Sequence, residues 1–212
     1  MSEPSGSCPT CGAPVKFRFS SSVQTTCEYC RSIIVRTDLD MQKVGTVADL
    51  PANSSPIQIG VEGVFGSRAF SVAGRIVYEY EQGNWNEWHI VFNDGASGWL
   101  SDAQLEYDIS AQVDGISGLP GPDALNVGQV FTFKGGQYEV TSITQARYRG
   151  VEGELPFQYW DKTSVPFADL RTEDARFATL DHSEQPPLLF LGQVVEFDAL
   201  KLKNLRSFEG WN

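Results

Sequence analysis

The four cysteines of this chain stand at Cys8, Cys11, Cys27 and Cys30, and none follows in the rest of the sequence. Two C-x2-C pairs with fifteen residues between them have the spacing of a metal site made from two tight turns. Each turn offers two sulfurs from one loop, and zinc takes four thiolates in a tetrahedron at about 2.3 Å. The residues between the pairs suit a ribbon. Pro9 lies inside the first turn, and Gly12 follows it where a positive φ is often required. Val15-Lys16-Phe17-Arg18-Phe19 alternates as a strand, Ser20-Ser21-Ser22 turns the chain, and Ile33-Ile34-Val35 reads as a third short strand. A redox dithiol normally has a single C-x2-C at a helix start, and disulfides belong to oxidising compartments. The spacing therefore predicts one structural zinc with no open coordination position.

Beyond the ribbon the chain reads as all-β, with short alternating strands broken by glycine and few short helices. The expected organisation is a zinc ribbon over residues 1–40, a connector over 41–56, a first β unit over 57–113, a joint over 114–126 and a second β unit over 127–212. Each β unit is expected to be small, antiparallel and SH3-like or barrel-like. The connector has a modest helical tendency around Asp40–Val44 and ends in the loop Asn53-Ser54-Ser55-Pro56. In the first unit, Arg75–Glu81 alternates, with apolar or aromatic groups at the even positions and Arg75, Glu79 and Glu81 on the other face. Asn93-Asp94-Gly95 is a hairpin signal, and Asp102–Leu105 reads as a short helical turn. In the second unit, Phe167–Leu170 and Arg176–Asp181 form an expected hairpin around Thr172-Glu173-Asp174. Val127-Gly128 through Val140 echoes Ile59-Gly60 through Val72, and Leu191-Gly192-Gln193-Val194 echoes it again. Internal duplication and convergent β patterning both account for these echoes.

Charge narrows the partners. The net charge is −11, yet residues 1–36 are locally basic, with Lys16, Arg18, Arg31 and Arg36 against Glu3 and Glu28. An acidic body repels phosphate backbones and anionic membrane surfaces, so broad contact with either is disfavoured. The ribbon's four basic residues are the one electrostatic hint of an anionic partner. No apolar run reaches the roughly 20 residues of a membrane span, and the first residues lack the pattern of a signal peptide. A cytoplasmic location is the expectation.

Candidate chemistry is sparse. His89 lies on a strand facing opposite to Trp88 and Ile90 and reads as structural. His182, in Asp181-His182-Ser183-Glu184, sits among triad residue types, but triads are assembled from separate elements. Glu79, Glu81 and Glu87 read as a solvated acidic face. Tyr78, Tyr80, Trp85, Trp88 and Trp99 cluster on adjacent strands, with Trp88 and Trp99 expected in the core. Tyr78, Trp85 and Asn86 are the candidate partner-binding site, since small barrels often bind ligands or peptides through aromatic faces.

The run Gly74-Arg75-Ile76-Val77-Tyr78-Glu79-Tyr80, followed by Trp85-Asn86-Glu87-Trp88, Phe92-Asn93-Asp94-Gly95 and Gly98-Trp99-Leu100, resembles the bacterial domain-of-unknown-function family numbered 4178. Phe177–Glu184 leading to Pro187 adds to the likeness, which covers most of residues 56–206. The resemblance implies a bacterial cytoplasmic protein without established activity, often with an N-terminal zinc ribbon. It also suggests gene neighbours concerned with membrane stress, small membrane proteins and polyamine synthesis. In many relatives a tyrosine is expected where His182 stands. The function that follows is a non-enzymatic protein-binding or scaffold role with a protein partner, membrane-associated on the evidence of the resemblance. One alternative is a nucleic-acid-binding ribbon using Lys16, Arg18, Arg31 and Arg36. The other is an enzyme using carboxylates, which a deep pocket with close acidic groups would favour.

Overall fold

The protein is described here by a computed structural model covering residues 5–37, 41–46, 50, 55–158 and 163–207. The N-terminal ribbon has five strands: β1 (Ser5–Ser7), β2 (Pro14–Lys16), β3 (Gln24–Thr26), β4 (Ser32–Arg36) and β5 (Met41–Thr46). β1 pairs with β2, and β4 lies between β3 and β5. The expected helical tendency around Asp40–Val44 gives way to strand β5. So few residues cannot nucleate a helix on their own, whereas β4, buried from Ser32 to Val35, offers an edge to pair with. Asp40, Asn53 and Ser54 lie outside the described residues.

The first β unit contains β6 (Glu62–Phe65), β7 (Arg68–Tyr80), β8 (Gly83–Phe92), β9 (Ser97–Ala103) and β10 (Glu106–Val113). The second contains β11 (Val130–Phe133), β12 (Gly136–Gly153), β13 (Val165–Arg171), β14 (Arg176–Asp181) and β15 (Leu188–Val194). Within each unit, successive strands pair antiparallel. The units then join at two seams, β7 with β12 and β10 with β15. Strands β7, β8, β9, β10, β15, β14, β13 and β12 thereby close a ring. Among the described residues, no helix is long and apolar enough to cross a membrane.

The two units repeat each other in detail. Gly60 and Gly128 hold φ of 87° and 88°. Their amides donate to the carbonyls of Val72 and Val140, at 2.9 and 2.8 Å, and those two valines donate back to Val61 and Gln129 at 2.8 Å each. A bulge interrupts β7 against β8 between Val72 and Gly74, and another interrupts β12 against β13 between Val140 and Ser142. In the following hairpins, Phe92 donates to Ala96 and Thr172 to Arg176. The segments that echo each other in the sequence, 59–72 and 127–140, thus share one local geometry.

The bulges explain how one long strand serves two cores. An extra residue shifts the side-chain alternation by one. Before the bulge, Phe70 and Val72 join Trp88, Ile90, Leu100 and Ile109 in the first unit's own core. After it, Ile76, Tyr78 and Tyr80 turn into the ring. The second unit repeats this, with Val140, Leu170, Leu180 and Leu189 in its own core and Thr144 facing the ring interior. Leu200, in the short turn Phe197–Leu200, seals the first core.

One local reading is corrected. Asp102–Leu105 is no helical turn: β9 runs through Ala103, and Gln104 and Leu105 both take positive φ, 53° and 69°, as a two-residue hairpin turn. Arg75, on the face opposite Tyr78 and Tyr80, is buried: it donates to Asn86 Oδ1, and its guanidinium lies 5.2 Å from the Trp88 ring centroid.

Candidate functional site

The cysteine tetrad is built from two superimposable turns. Cys8 N–H donates to Ala13 O and Gly12 N–H to Cys8 O, while Cys27 N–H donates to Ser32 O and Arg31 N–H to Cys27 O. Gly12 and Arg31 both have positive φ, 74° and 58°. This geometry points both sulfurs of each turn inward. Cys8 and Cys30 Sγ are 3.6 Å apart, Cys11 and Cys27 Sγ are 3.8 Å apart, and all four lie within 4.8 Å of one another. A tetrahedron with metal–sulfur bonds of about 2.3 Å has edges of about 3.8 Å, so the donor set fits one metal ion. The hydroxyl and amide of Ser32 draw the Cys30 thiol down to about 6, toward the thiolate form that ligates metals.

The ribbon is fastened to the ring through Glu154 and Leu155. The buried Glu154 carboxylate accepts the backbone N–H groups of Arg18 (2.9 Å) and Phe19 (3.2 Å). Val23 and Gln24 donate to Leu155 O at 2.9 and 3.1 Å. On the ring side, Glu154 N–H donates to Ala73 O, and Glu154 O lies 2.8 Å from His89 Nδ1. His89 Nε2 is 3.1 Å from Ser97 Oγ, so both ring nitrogens are engaged, and burial lowers the histidine to about 4. This is a neutral structural histidine.

The ring encloses a cavity of about 660 Å³ to which all eight of its strands contribute. That is the size of a small-molecule site. One wall is aromatic: Tyr78 stacks on Trp85 at 4.8 Å, with Tyr148 at 4.8 Å and Phe167 at 5.0 Å from Tyr78. The polar lining is acidic, comprising Glu87, Glu106, Asp108, Asp169, Asp181 and Glu184. Among the described residues its one basic member, Arg171, pairs with Glu106 at 3.2 Å. Asp169 accepts from Ser142 and Thr179, Asp181 from the Ser183 amide, and Glu87 from Trp85 Nε1 at 3.0 Å. No hydrogen-bond donor reaches the Asp108 carboxylate among the described residues. Burial, then the nearby Asp169 charge, pushes Asp108 up to about 7. Burial raises Glu87 well above the carboxylate range, and Asp108 adds to that. Both side chains are only half-buried by area because they touch the open lumen, although protein surrounds them.

Tyr78 and Trp85 meet inside the ring, but Asn86 faces the other way, where Oδ1 accepts from Arg75 Nε (2.9 Å) and Nη2 (2.7 Å). The three therefore do not share one surface. Glu87 also departs from the solvated face expected of it, while Glu79 stays outside and pairs with Arg147 at 2.7 Å. Trp88 and Trp99 are both buried, on opposite faces of the sheet. Of the ribbon's basic residues, Lys16 and Arg31 are exposed, Arg18 approaches Glu154 at 3.4 Å, and Arg36 donates to Ser20 O and lies over the Phe17 ring. Among the described residues His182 forms no triad: the Asp181 carboxylate accepts the Ser183 amide, and none of them hydrogen-bonds to His182 Nε2. The lumen carboxylates Glu106, Asp108, Asp169 and Asp181 were missed. Glu106-x-Asp108-x-Ser110-x-Gln112 alternates visibly in the sequence, but the polar face of a strand ordinarily signals water rather than a lumen.

A family model described as a domain of unknown function (DUF4178) matches residues 58–197, which include every strand of the ring. No curated protein and no solved structure matches the chain.

Proposed function

We propose that this chain, which belongs to the DUF4178 family, is a non-catalytic binding protein that admits a small organic ligand into the lumen of its ring. The observation that carries this reading is the aromatic-walled cavity of about 660 Å³, inside which the Asp108 carboxylate accepts no hydrogen bond from the described residues. The cysteine tetrad holds one structural zinc ion, since four thiolates at tetrahedral spacing fill its coordination and leave no place for substrate. Thiolate ligation suits the reducing cytoplasm. Because Tyr78 and Trp85 turn inward, the ligand is a small molecule rather than the extended protein segment that an open aromatic groove would take. A protein or membrane-associated partner then meets the outside of the ring or the ribbon.

A second reading draws on the neighbouring carboxyls Glu87 and Asp108, whose raised proton affinities are those a general acid requires. Binding is preferred because neither His89 nor any cysteine is available as a partner in group transfer. The test is uptake of the neutral dye N-phenyl-1-naphthylamine by the zinc-loaded protein, compared with a Ser101→Trp variant whose indole would occupy the lumen. Bright emission that disappears in a variant of unchanged melting temperature supports the reading. Equal emission from both proteins, or none from either, refutes it.

A further inference from the structure

Resting on the lumen as the binding site, we infer that its ligand is an organic cation with an apolar body, an aryl- or alkylammonium compound. Its charge sits at Asp108 and Glu87, and its hydrocarbon lies against the Tyr78–Trp85 stack.

The charge balance of the lining is the first argument. Among the described residues, no lysine or arginine forms an ion pair with Glu87, Asp108 or Asp169, and the basic residue of the lining, Arg171, is bound to Glu106. An anion entering the lumen would add repulsion inside a poorly solvated space. A neutral ligand would strip water from Asp108 and supply no donor, leaving a desolvated carboxylate unpaired. A cation removes that penalty. Asp108 is where the charge is needed, because the other inner carboxylates already accept hydrogen bonds: Asp169 from two hydroxyls, Asp181 from an amide, Glu87 from an indole.

The aromatic wall is the second argument, independent of the acids. Ring faces carry negative quadrupole potential and attract cations, more strongly when water is excluded. The Tyr78 centroid lies 4.8 Å from Trp85, 4.8 Å from Tyr148 and 5.0 Å from Phe167, and Trp85 lies 5.9 Å from Phe167, in stacked, tilted and edge-on arrangements. Such a wall suits a broad, weakly hydrated ammonium group with attached carbon. A small metal ion would have to be fully dehydrated there, without a converging set of oxygens.

The test uses an isosteric pair, phenyltrimethylammonium and neutral tert-butylbenzene, with phenylphosphonate as the anion, titrated by calorimetry into the zinc-loaded protein. The cation is expected to bind at least tenfold more tightly than its neutral isostere, with the anion unbound. Its affinity is expected to rise between pH 6 and pH 8, which the probe's permanent charge assigns to the protein. Asp108→Asn should erase the preference for charge while keeping the neutral isostere's affinity, and Glu87→Gln serves if that variant does not fold. If the neutral isostere binds as tightly as the cation, and Ser101→Trp abolishes both, the ligand class is wrong and the lumen reading stands. If neither compound binds, or Ser101→Trp leaves both unaffected, the lumen reading itself falls and this inference with it.

Discussion

Glu154 of the ring accepts the backbone N–H of Arg18 in the ribbon at 2.9 Å, and its carboxylate is buried where they meet. A side chain from the β12–β13 connection thus satisfies main-chain donors 136 residues earlier in the sequence. Glu154→Ala leaves the Arg18 and Phe19 amides without a partner, at about 1–3 kcal/mol for a buried donor. The ribbon should become susceptible to limited proteolysis while the ring stays resistant, and Glu154→Gln should fall between the two. Equal resistance in all three proteins would mean that the ribbon is held by other contacts.

Metal removal should act on one part of the molecule. The tryptophans all lie beyond residue 84, outside the ribbon, so near-ultraviolet dichroism from these rings reports on the rest of the chain. A strong chelator is expected to release one zinc per chain and to expose the ribbon to protease, leaving most of that dichroism intact. A metal-free ribbon as protected as the loaded one would contradict a structural role for zinc.

The raised Asp108 implies a direction for pH dependence. Its proton affinity is higher folded than unfolded, so its contribution to stability is fully present below the ordinary carboxylate range and is lost as pH rises toward about 7. The groups that act on it are Glu87 on β8, Glu106 on its own strand, and Asp169 and Arg171 on β13 across the lumen. The ligand-free protein should melt higher at pH 5 than at pH 8, and Asp108→Asn should flatten the difference. At about 2–4 °C per kcal/mol for a chain of this size, scanning calorimetry resolves the change.

Glycine replacements should separate strain from collision. Gly60 and Gly128 have no atom within 4 Å of an added Cβ, but their φ is positive. Alanine at either should cost roughly 1 kcal/mol, and by the same amount, because the two occupy equivalent places. At Gly74 an added Cβ would lie 2.3 Å from the Glu154 carbonyl oxygen. Gly74→Ala should cost clearly more in denaturant melts, since backbone rather than a movable side chain must yield.

Local patterning made much of this molecule legible from sequence. The cysteine turns, the all-β class and the hairpins at Asn93-Asp94-Gly95 and around Thr172-Glu173-Asp174 all follow from spacing and turn chemistry within a few residues. What local pattern does not carry is the pairing of distant strands. The seams β7·β12 and β10·β15 decide that Tyr78 and Glu87 face a lumen rather than water, and alternation along one strand is the same in either case. The bulges at Ala73 and Thr141 escaped for a related reason. Each is one ordinary residue whose effect is to exchange the faces of everything after it.

The double seam also bears on how the cavity endures. A single five-stranded unit would present two ladders of unpaired amides and carbonyls, a tile that sticks to its own kind. Two such tiles on separate chains would enclose a space only at concentrations that favour their encounter. Joined in tandem through residues 114–129, they meet at an effective concentration set by the tether rather than by the solution. The enclosed space then persists at dilutions where a dimer would part.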